Sequence, residues 1–240
     1  MASKWDQHWN STKINYDIFK IWAQCFIRSY EKYFGFSKSD IVLDFGAGRG
    51  DIPLLIKDKV QKIYLFEKSQ ISTDFLRKKF KNIKNIDIVD NVLEINEPVS
   101  LIIINSVIQY MTKDEVGNML SNLHKISNSK TKLIISDTLP SNYTKFNDAI
   151  NLLKTSLKNG FFLKFASNMA TSIIYSPKLS LKTSALQAYD AYEIKQLLLK
   201  HGYNSIIMER NFTYSTHRYT LYCTLTDQSV KLQKKETITI

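Results

Sequence analysis

The sequence predicts an α/β fold in which helices cover both faces of a seven-stranded, mostly parallel sheet. Short apolar runs of strand length recur along the chain and are separated by segments with a helical period. A glycine-rich stretch directly follows the first of these runs, as it does where a parallel sheet meets a nucleotide. The length of 240 residues suits one domain of this kind. We therefore expect a single domain over residues 1–240.

Composition and cysteine usage limit the class of protein. Hydrophobic residues make up 44% of the chain, yet no apolar run reaches the ~18 residues that a membrane span needs. Residues 1–6 lack the apolar stretch of a signal peptide. Cys25 and Cys223 have no metal-ligand spacing, so they are typical of reduced packing residues. We expect a cytoplasmic protein with no membrane span and no metal site.

The chain is basic, with 33 Lys and Arg against 22 Asp and Glu and a formal net charge of +11. Such an excess is compatible with binding to nucleic acid or to an acidic substrate. Lysine dominates the basic set, however, and no arginine-rich cluster with interleaved aromatic residues is present. The charge therefore favours a basic surface over a nucleic-acid site, and nucleic-acid binding stays an alternative.

The first strand leads into the most specific pattern in the chain. Residues 41–43 predict a buried strand, Asp44 follows it, and glycine then occupies every second position over 46–50. Glycine lets the backbone turn sharply and approach a ligand closely, because it has no Cβ. The spacing differs from the G-x-G-x-x-G of dinucleotide sites, since Asp51 stands where that pattern needs its third glycine.

The pattern D-x-G-x-G-x-G resembles motif I of the class I S-adenosylmethionine-dependent methyltransferases. The resemblance implies a Rossmann-like sheet with strand order 3-2-1-4-5-7-6 and strand 7 antiparallel. It also implies that S-adenosyl-L-methionine is the cofactor and that Asp44 lies beside its methionine ammonium. The loop residues implied to wrap the cofactor are Gly46, Ala47, Gly48 and Gly50.

Acidic residues also follow the second and third predicted strands. Glu67 ends an apolar stretch about 20 residues beyond the glycine loop, where an acid accepts hydrogen bonds from both ribose hydroxyls. Its neighbour Lys68 is expected to flank the ribose or the adenine. The family resemblance implies an adenine contact after the third strand. The residues expected to form it are Asp90, Asn91 and Val92.

The fourth predicted strand ends at Asn105, which we expect to contact the cofactor. The turn that continues through Ser106 and Val107 resembles motif IV of small-molecule methyltransferases, where it closes beneath the sulfonium. It does not match the Asn/Asp-Pro-Pro-aromatic motif of enzymes that methylate exocyclic amines of nucleic-acid bases. The resemblance thus favours a branch similar to the small-molecule or saccharide O-methyltransferases.

Catalytic groups are less well defined than the cofactor site. In this family the methyl group moves by in-line displacement, so the protein mainly holds both reactants, and a base assists when the acceptor is a hydroxyl. No His-Asp pair at a recognisable spacing is present. The candidate bases are Asp137 at the tip of the fifth strand, His217 in the last hairpin and His8 near the N-terminus.

Two segments are expected to enclose the acceptor. Residues 1–36 carry many aromatic side chains, and the part that leads up to Tyr16 is predicted to form a lid, with Tyr16 at the cofactor. Further along this segment, Trp22 and Phe26 follow a helical period and are predicted to pack against the sheet. Residues 139–188 are longer than a plain strand-to-helix connection and are predicted to form the acceptor pocket.

The predicted function is transfer of a methyl group from S-adenosylmethionine to a small-molecule or saccharide-like acceptor of bacterial metabolism. The acceptor atom is expected to be oxygen, and the basic charge suits an anionic acceptor. An RNA methyltransferase is the first alternative, for which only the charge argues. A domain that binds the cofactor without transferring methyl is the second alternative. The sequence makes no prediction of the oligomeric state.

Overall fold

The computed structural model describes residues 16–144, 150–151, 153–154, 156–157, 160, 162 and 186–226, with side chains from residue 19 onward. The predicted lid before Tyr16, with His8, lies outside the described residues. So does most of the predicted 139–188 acceptor segment.

Seven strands form one sheet in this part of the chain. They are β1 Ile41–Phe45, β2 Lys62–Phe66, β3 Ile86–Val89, β4 Val99–Asn105, β5 Ser127–Thr138, β6 Tyr203–Ile207 and β7 Tyr219–Leu225. Their order in the sheet is β3-β2-β1-β4-β5-β7-β6. Neighbouring strands from β3 to β5 pair in parallel, whereas β7 is antiparallel to both β5 and β6. The predicted order and the antiparallel strand 7 are therefore confirmed.

Hydrophobic side chains leave the central strands on both faces of the sheet. Val42 and Ile103 lie in one buried cluster, whereas Leu43 and Ile102 lie in the other. This alternation follows from the two-residue period of a strand. Because both faces are covered, the central strands are continuous apolar runs rather than alternating ones.

Within the described part of the chain, five helices cover the two faces of the sheet. They are α1 Tyr16–Tyr33, α2 Asp51–Ile56, α3 Gln70–Phe80, α4 Lys113–Lys125 and α5 Ala191–Lys200. Helices α1, α2 and α3 contribute to the cluster that contains Val42, and α4 and α5 to the cluster that contains Leu43. The predicted helices on both faces are confirmed. No described helix combines the length and the apolarity needed to cross a membrane.

Helix α1 contacts both the sheet and the connection between β6 and β7. Phe26 is fully buried and meets the ring of Phe212 edge-on, with the centroids 5.8 Å apart. The predicted packing of Phe26 is therefore confirmed. Trp22 instead stacks on Tyr214, with the ring centroids 4.7 Å apart. The aromatic helix thus braces the segment that enters β7.

Candidate active site

The glycine loop lies at the carboxyl edge of the sheet, between β1 and α2. The N–H groups of Gly46 and Ala47 donate to the carbonyl of Phe66 at 2.8 and 3.1 Å, so the loop crosses the tip of β2. Gly46 has a φ of 78°, and a Cβ there would lie 2.5 Å from the side chain of Val107. The loop therefore abuts the turn after β4 so closely that only glycine fits.

The end of the loop packs against α3. Gly50 precedes α2 with a φ of 68°, and a Cβ there would lie 2.5 Å from the ring of Phe80. Lys79 donates to the carbonyl oxygens of Arg49 and Gly50 at 2.6 and 3.2 Å. One side of the loop is thereby fixed on a helix.

Glu67 directly follows β2 and is buried, with 8% of its surface exposed. One carboxylate oxygen accepts the Gly48 N–H at 2.9 Å, and the other accepts the Ser69 N–H at 3.0 Å. A carboxylate offers about four lone-pair positions, and each of these two contacts takes one position on one oxygen. Glu67 thus shapes the loop and still suits the ribose contact predicted for it.

Asp44 lies within β1 beneath the loop and is 3% exposed. Burial, and to a lesser extent the negative charges of Glu67 and Asp51, raise the pKa of Asp44 to about 7. Among the described residues, no hydrogen bond or ion pair reaches its carboxylate. A buried carboxylate without a cationic partner is costly. The position therefore suits the ammonium group of a ligand, as predicted from the resemblance.

The residues predicted at the adenine make other contacts in the structure. Asp90 is exposed and accepts two hydrogen bonds from the Arg77 guanidinium, both 2.7 Å long. The side chain of Asn91 accepts the Leu93 N–H at 3.0 Å and caps a short 3-10 helix, Val92–Glu94. These contacts order the turn after β3, and the adenine contact itself stays a prediction.

Two other predicted contacts differ in exposure. Val92 is 4% exposed and belongs to the hydrophobic core, so any contact with a ligand would come from its backbone. Lys68 is exposed, and its ammonium lies 3.9 Å from the Glu115 carboxylate. Neither position adds a buried charge to the site.

The tips of β4 and β5 are joined by side chains. Asn105 accepts a hydrogen bond from the hydroxyl of Ser136 at 2.6 Å. The N–H of the next residue, Ser106, donates to the Ser136 carbonyl at 3.1 Å. Asn105 therefore lies at the carboxyl edge beside the glycine loop, where its cofactor contact was predicted.

Asp137 sits at the tip of β5, is 3% exposed and is surrounded by hydrogen-bond donors. One oxygen accepts from Ser106 at 2.7 Å and from Arg218 at 2.6 Å. The other accepts from Asn211 at 3.2 Å and from the hydroxyl of Thr213. Both oxygens are thus occupied, and this geometry gives no support to the predicted role of Asp137 as a base.

The other candidate bases lie apart from this network. His217 is exposed, and no described residue forms a hydrogen bond with its ring. The side chain of the adjacent Arg218 is 8% exposed and forms an ion pair with Asp137, and its guanidinium lies 5.7 Å from the Tyr143 ring centroid. His8 lies outside the described residues. Tyr16 is the first residue of α1, and its side chain lies outside what the structure describes.

Sequence reasoning missed the polar residues that converge on Asp137. Ser106 follows β4, whereas Asn211 and Thr213 lie in the connection between β6 and β7, and the sequence did not predict that these residues meet at Asp137. One signal was available, because Asn211, Thr213 and Ser215 alternate just before a predicted strand. All three are buried, at 7%, 8% and 1% exposure.

The residues at this edge fit S-adenosylmethionine. Glu67 is a buried acid that holds the glycine loop at the tip of β2, and Asp44 is a buried carboxylate beneath that loop that lacks a described cation. These features match the ribose and the ammonium of that cofactor. No group of three potential metal ligands occurs among the described residues.

Fold and site together define a class I S-adenosylmethionine-dependent methyltransferase. The chain belongs to the DREV methyltransferase family, whose model matches residues 24–171. No curated protein matches the chain.

Solved structures of methyltransferases share this fold. The magnesium protoporphyrin IX methyltransferase ChlM from Synechocystis PCC 6803, with bound S-adenosylhomocysteine, has a TM-score of 0.57 and 14% identity over 92% of this chain and 93% of its own. A methyltransferase from Aquifex aeolicus has a TM-score of 0.58 and 14% identity, over 88% and 94%. The mitomycin 7-O-methyltransferase MmcR has a TM-score of 0.58 and 14% identity over 88% of this chain. At these identities the likeness concerns the fold.

The chain spans about half the length of several of these proteins. It covers 54% of MmcR and 55% of the pyocyanin biosynthetic protein PhzM. Parts of those enzymes therefore have no counterpart in the aligned region.

Proposed function

We propose that the protein transfers the methyl group of S-adenosylmethionine to an oxygen atom of a small-molecule acceptor. The observation that carries the proposal is the convergence of several segments on the connection between β6 and β7, beside the cofactor edge. Trp22 of α1 stacks on Tyr214, and Thr216 donates to Asn151 at 2.8 Å. The leading helix and the described part of the 139–188 segment thus both contact the connection between β6 and β7.

Such an arrangement suits an acceptor enclosed between the two segments, as the sequence predicts. Methyl transfer needs the acceptor held in line with the sulfonium and water kept out. A cover built from two segments supplies both conditions for a small molecule. PhzM, MmcR and the riboflavin-related dimethyltransferase RosA carry small-molecule names and share the fold, which supports this class of acceptor.

The acceptor oxygen attacks the methyl carbon, the carbon–sulfur bond breaks, and the sulfur keeps the electron pair as S-adenosylhomocysteine forms. The hydroxyl proton passes to a base or to water. His217 is the described candidate whose ring is exposed, and His8 remains the other candidate from the sequence. The Arg218 side chain already forms an ion pair with Asp137, so an anionic or saccharide-like acceptor rests on the sequence argument alone.

Transfer of an isotopically labelled methyl group tests the proposal. The protein is incubated with labelled S-adenosylmethionine and a bacterial extract divided into small-molecule, RNA and protein fractions. We expect label in the small-molecule fraction, with the methyl carbon attached to oxygen by NMR. A Glu67→Ala variant serves as the control with impaired cofactor binding.

The other fractions test the alternatives. Label in RNA would favour the RNA methyltransferase, for which the net charge of +11 is the only argument. Binding to mixed RNA is expected to be weak, at about 10⁻⁴–10⁻⁶ M, and to fade with salt because released counterions drive it. Cofactor binding without label in any fraction would favour a domain that does not transfer methyl.

A further inference from the structure

Two residues other than glycine have a left-handed backbone among those described, and they are neighbours in space. Ser106 has a φ of 60° and Asp137 a φ of 64°. Ser106 directly follows β4, and Asp137 is the next-to-last residue of β5. These two strands are adjacent and parallel, and both end at the edge that carries the cofactor loop. A residue with a Cβ adopts this conformation at a cost, and such strain persists where the surroundings enforce it.

A side-chain hydrogen bond joins these two residues. The Ser106 hydroxyl donates to the Asp137 carboxylate at 2.7 Å. The same carboxylate also accepts hydrogen bonds from Arg218 and Asn211, which both lie in the connection between β6 and β7. A hydrogen bond to a charged group in a buried site is stronger than one between neutral groups. The left-handed turn at Ser106 is therefore anchored to a rigid network.

The turn at Ser106 presses directly on the cofactor loop. Val107, the next residue, fills the space where a Cβ of Gly46 would lie, at 2.5 Å. Its own surface is only 6% exposed. The position of Val107 therefore limits where the glycine loop can lie, and any release of the turn shifts that contact.

We propose that Asp137 is a positioning residue for cofactor binding, which acts by holding Ser106 in its left-handed conformation so that Val107 supports the glycine loop. Arg218, Asn211 and Thr213 fix Asp137 and so connect the segment before β7 to the cofactor loop. The network explains why the Asp137 carboxylate is saturated with donors. The proposal does not depend on the identity of the methyl acceptor.

Two substitutions at one position separate the hydrogen bond from the backbone conformation. Ser106→Ala removes the hydroxyl but keeps a Cβ in the left-handed region. Ser106→Gly removes the same hydroxyl, yet glycine adopts a positive φ without support. We expect Ser106→Ala to weaken S-adenosylhomocysteine binding about tenfold, the loss typical of one hydrogen bond to a charged group. Ser106→Gly should bind within about threefold of the unmodified protein, because left-handed backbone costs glycine little.

Thr131→Val is the matched control. The Thr131 hydroxyl donates to the Val99 carbonyl at 2.6 Å and bridges the same two strands at their opposite end. Loss of the Thr131 hydroxyl should lower the denaturant midpoint without changing cofactor affinity. If Ser106 had a structural role only, Ser106→Ala would likewise lower the midpoint and leave the affinity unchanged. Asp137→Asn, if it folds, should resemble Ser106→Ala.

Calorimetric titration with S-adenosylhomocysteine decides the matter. Equal losses in Ser106→Ala and Ser106→Gly would mean that the hydroxyl acts by direct contact with the ligand, which overturns the positioning role. Unchanged affinity in Ser106→Ala would overturn it as well. Failure of Asp137→Asn to fold leaves the comparison at Ser106 decisive.

Discussion

The Glu67 carboxylate joins the tip of β2 to the glycine loop, since it accepts the Gly48 N–H at 2.9 Å. The same side chain that is predicted to bind the ribose therefore also fixes the backbone that surrounds it. Because one carboxylate is predicted to bind the ribose and is seen to hold the loop, its removal should reduce both cofactor affinity and the order of the loop.

Replacement of Glu67 by alanine should reduce the affinity for S-adenosylhomocysteine at least about tenfold. Two hydrogen bonds to a charged acceptor are worth about 1.5–3 kcal/mol each, and about 1.4 kcal/mol corresponds to a tenfold change. Calorimetry measures the loss, and circular dichroism checks the fold. Glu31→Ala is the control, because that carboxylate forms a surface ion pair with Lys59. Unchanged affinity in Glu67→Ala would place the ribose elsewhere.

Cofactor affinity should rise with pH across neutrality because of Asp44. Its pKa is raised to about 7, first by burial and then by Glu67 and Asp51. Only the ionised carboxylate attracts an ammonium group, so binding should release a proton from Asp44 near its pKa. We expect an affinity gain of up to about tenfold from about pH 6 to about pH 8. Calorimetry in buffers of different ionisation enthalpy measures the released proton.

An Asp44→Asn variant tests that assignment. Its affinity should be lower than that of the unmodified protein above neutral pH, and its pH dependence should be flat over the same interval. A pH dependence that survives in Asp44→Asn would assign the titration to another group. The amide keeps the size of the side chain, so packing beneath the loop should be maintained.

The contribution of Asp44 to the unfolding free energy should fall with rising pH, whereas cofactor affinity should rise. The pKa is raised from the ordinary value of 3.8 to about 7 in the folded protein, so between these values the folded state binds more protons than the unfolded one. The unfolding free energy contributed by this group therefore falls as pH rises through that window. Denaturant unfolding should show Asp44→Asn gaining stability relative to the unmodified protein from about pH 5 to about pH 8. An identical pH profile for both proteins would contradict this.

Alanine substitutions at two glycines allow the cost of a left-handed backbone to be measured apart from the cost of a steric collision. Gly35 and Gly50 both have a positive φ, at 72° and 68°. A Cβ on Gly35 meets nothing within 4 Å, whereas a Cβ on Gly50 would lie 2.5 Å from Phe80. Gly35→Ala should cost about 1–2 kcal/mol of unfolding free energy from the left-handed backbone alone. Gly50→Ala should cost about 1–3 kcal/mol more, because the ring must move. Equal losses in denaturant unfolding would show that the ring yields freely.

Removal of residues 1–12 tests the predicted lid. The packing of α1 rests on residues such as Phe26 and Tyr30, which are fully buried, so the sheet should stay folded without the leading segment. Cofactor affinity should fall modestly and methyl transfer severely, because the acceptor site would be open to water. Limited proteolysis should cut this segment in the free protein and spare it when cofactor is bound. Equal cutting in both states, with normal turnover of the truncated protein, would rule out a lid.

The strand order was predicted from the resemblance to the methyltransferase family and is confirmed, whereas the position of Glu67 at the site edge follows from a local pattern. Apolar runs marked the strands, and an acid at the end of such a run belongs at the carboxyl edge of a parallel sheet. The structure also has a capping box at the start of α4, where Thr112 and Glu115 exchange hydrogen bonds of 3.2 and 2.8 Å.

The network around Asp137 could not be predicted in the same way. Its donors come from residues 106, 211, 213 and 218, and only the insertion of β7 beside β5 brings them together. Backbone conformation added a second difficulty, since a positive φ is uncommon for any residue other than glycine, and neither Ser106 nor Asp137 lies in a turn pattern that requires it. The sequence predicted Asp137 as a candidate base, and the four donors that reach its carboxylate in the structure were not part of that prediction.

The placement of β7 also sets an order of assembly. It is the last strand of the described chain, yet it lies between β5 and β6, and β6 pairs with β7 alone among the described strands. During synthesis from the N-terminus, strands β1 to β5 are complete while β6 still has no neighbour to pair with. Arg218 enters only with β7, so until then Asp137 lacks its guanidinium partner. A nascent chain that ends before Tyr219 thus carries the whole glycine loop but leaves β5 as an open sheet edge, the feature by which chains most readily aggregate.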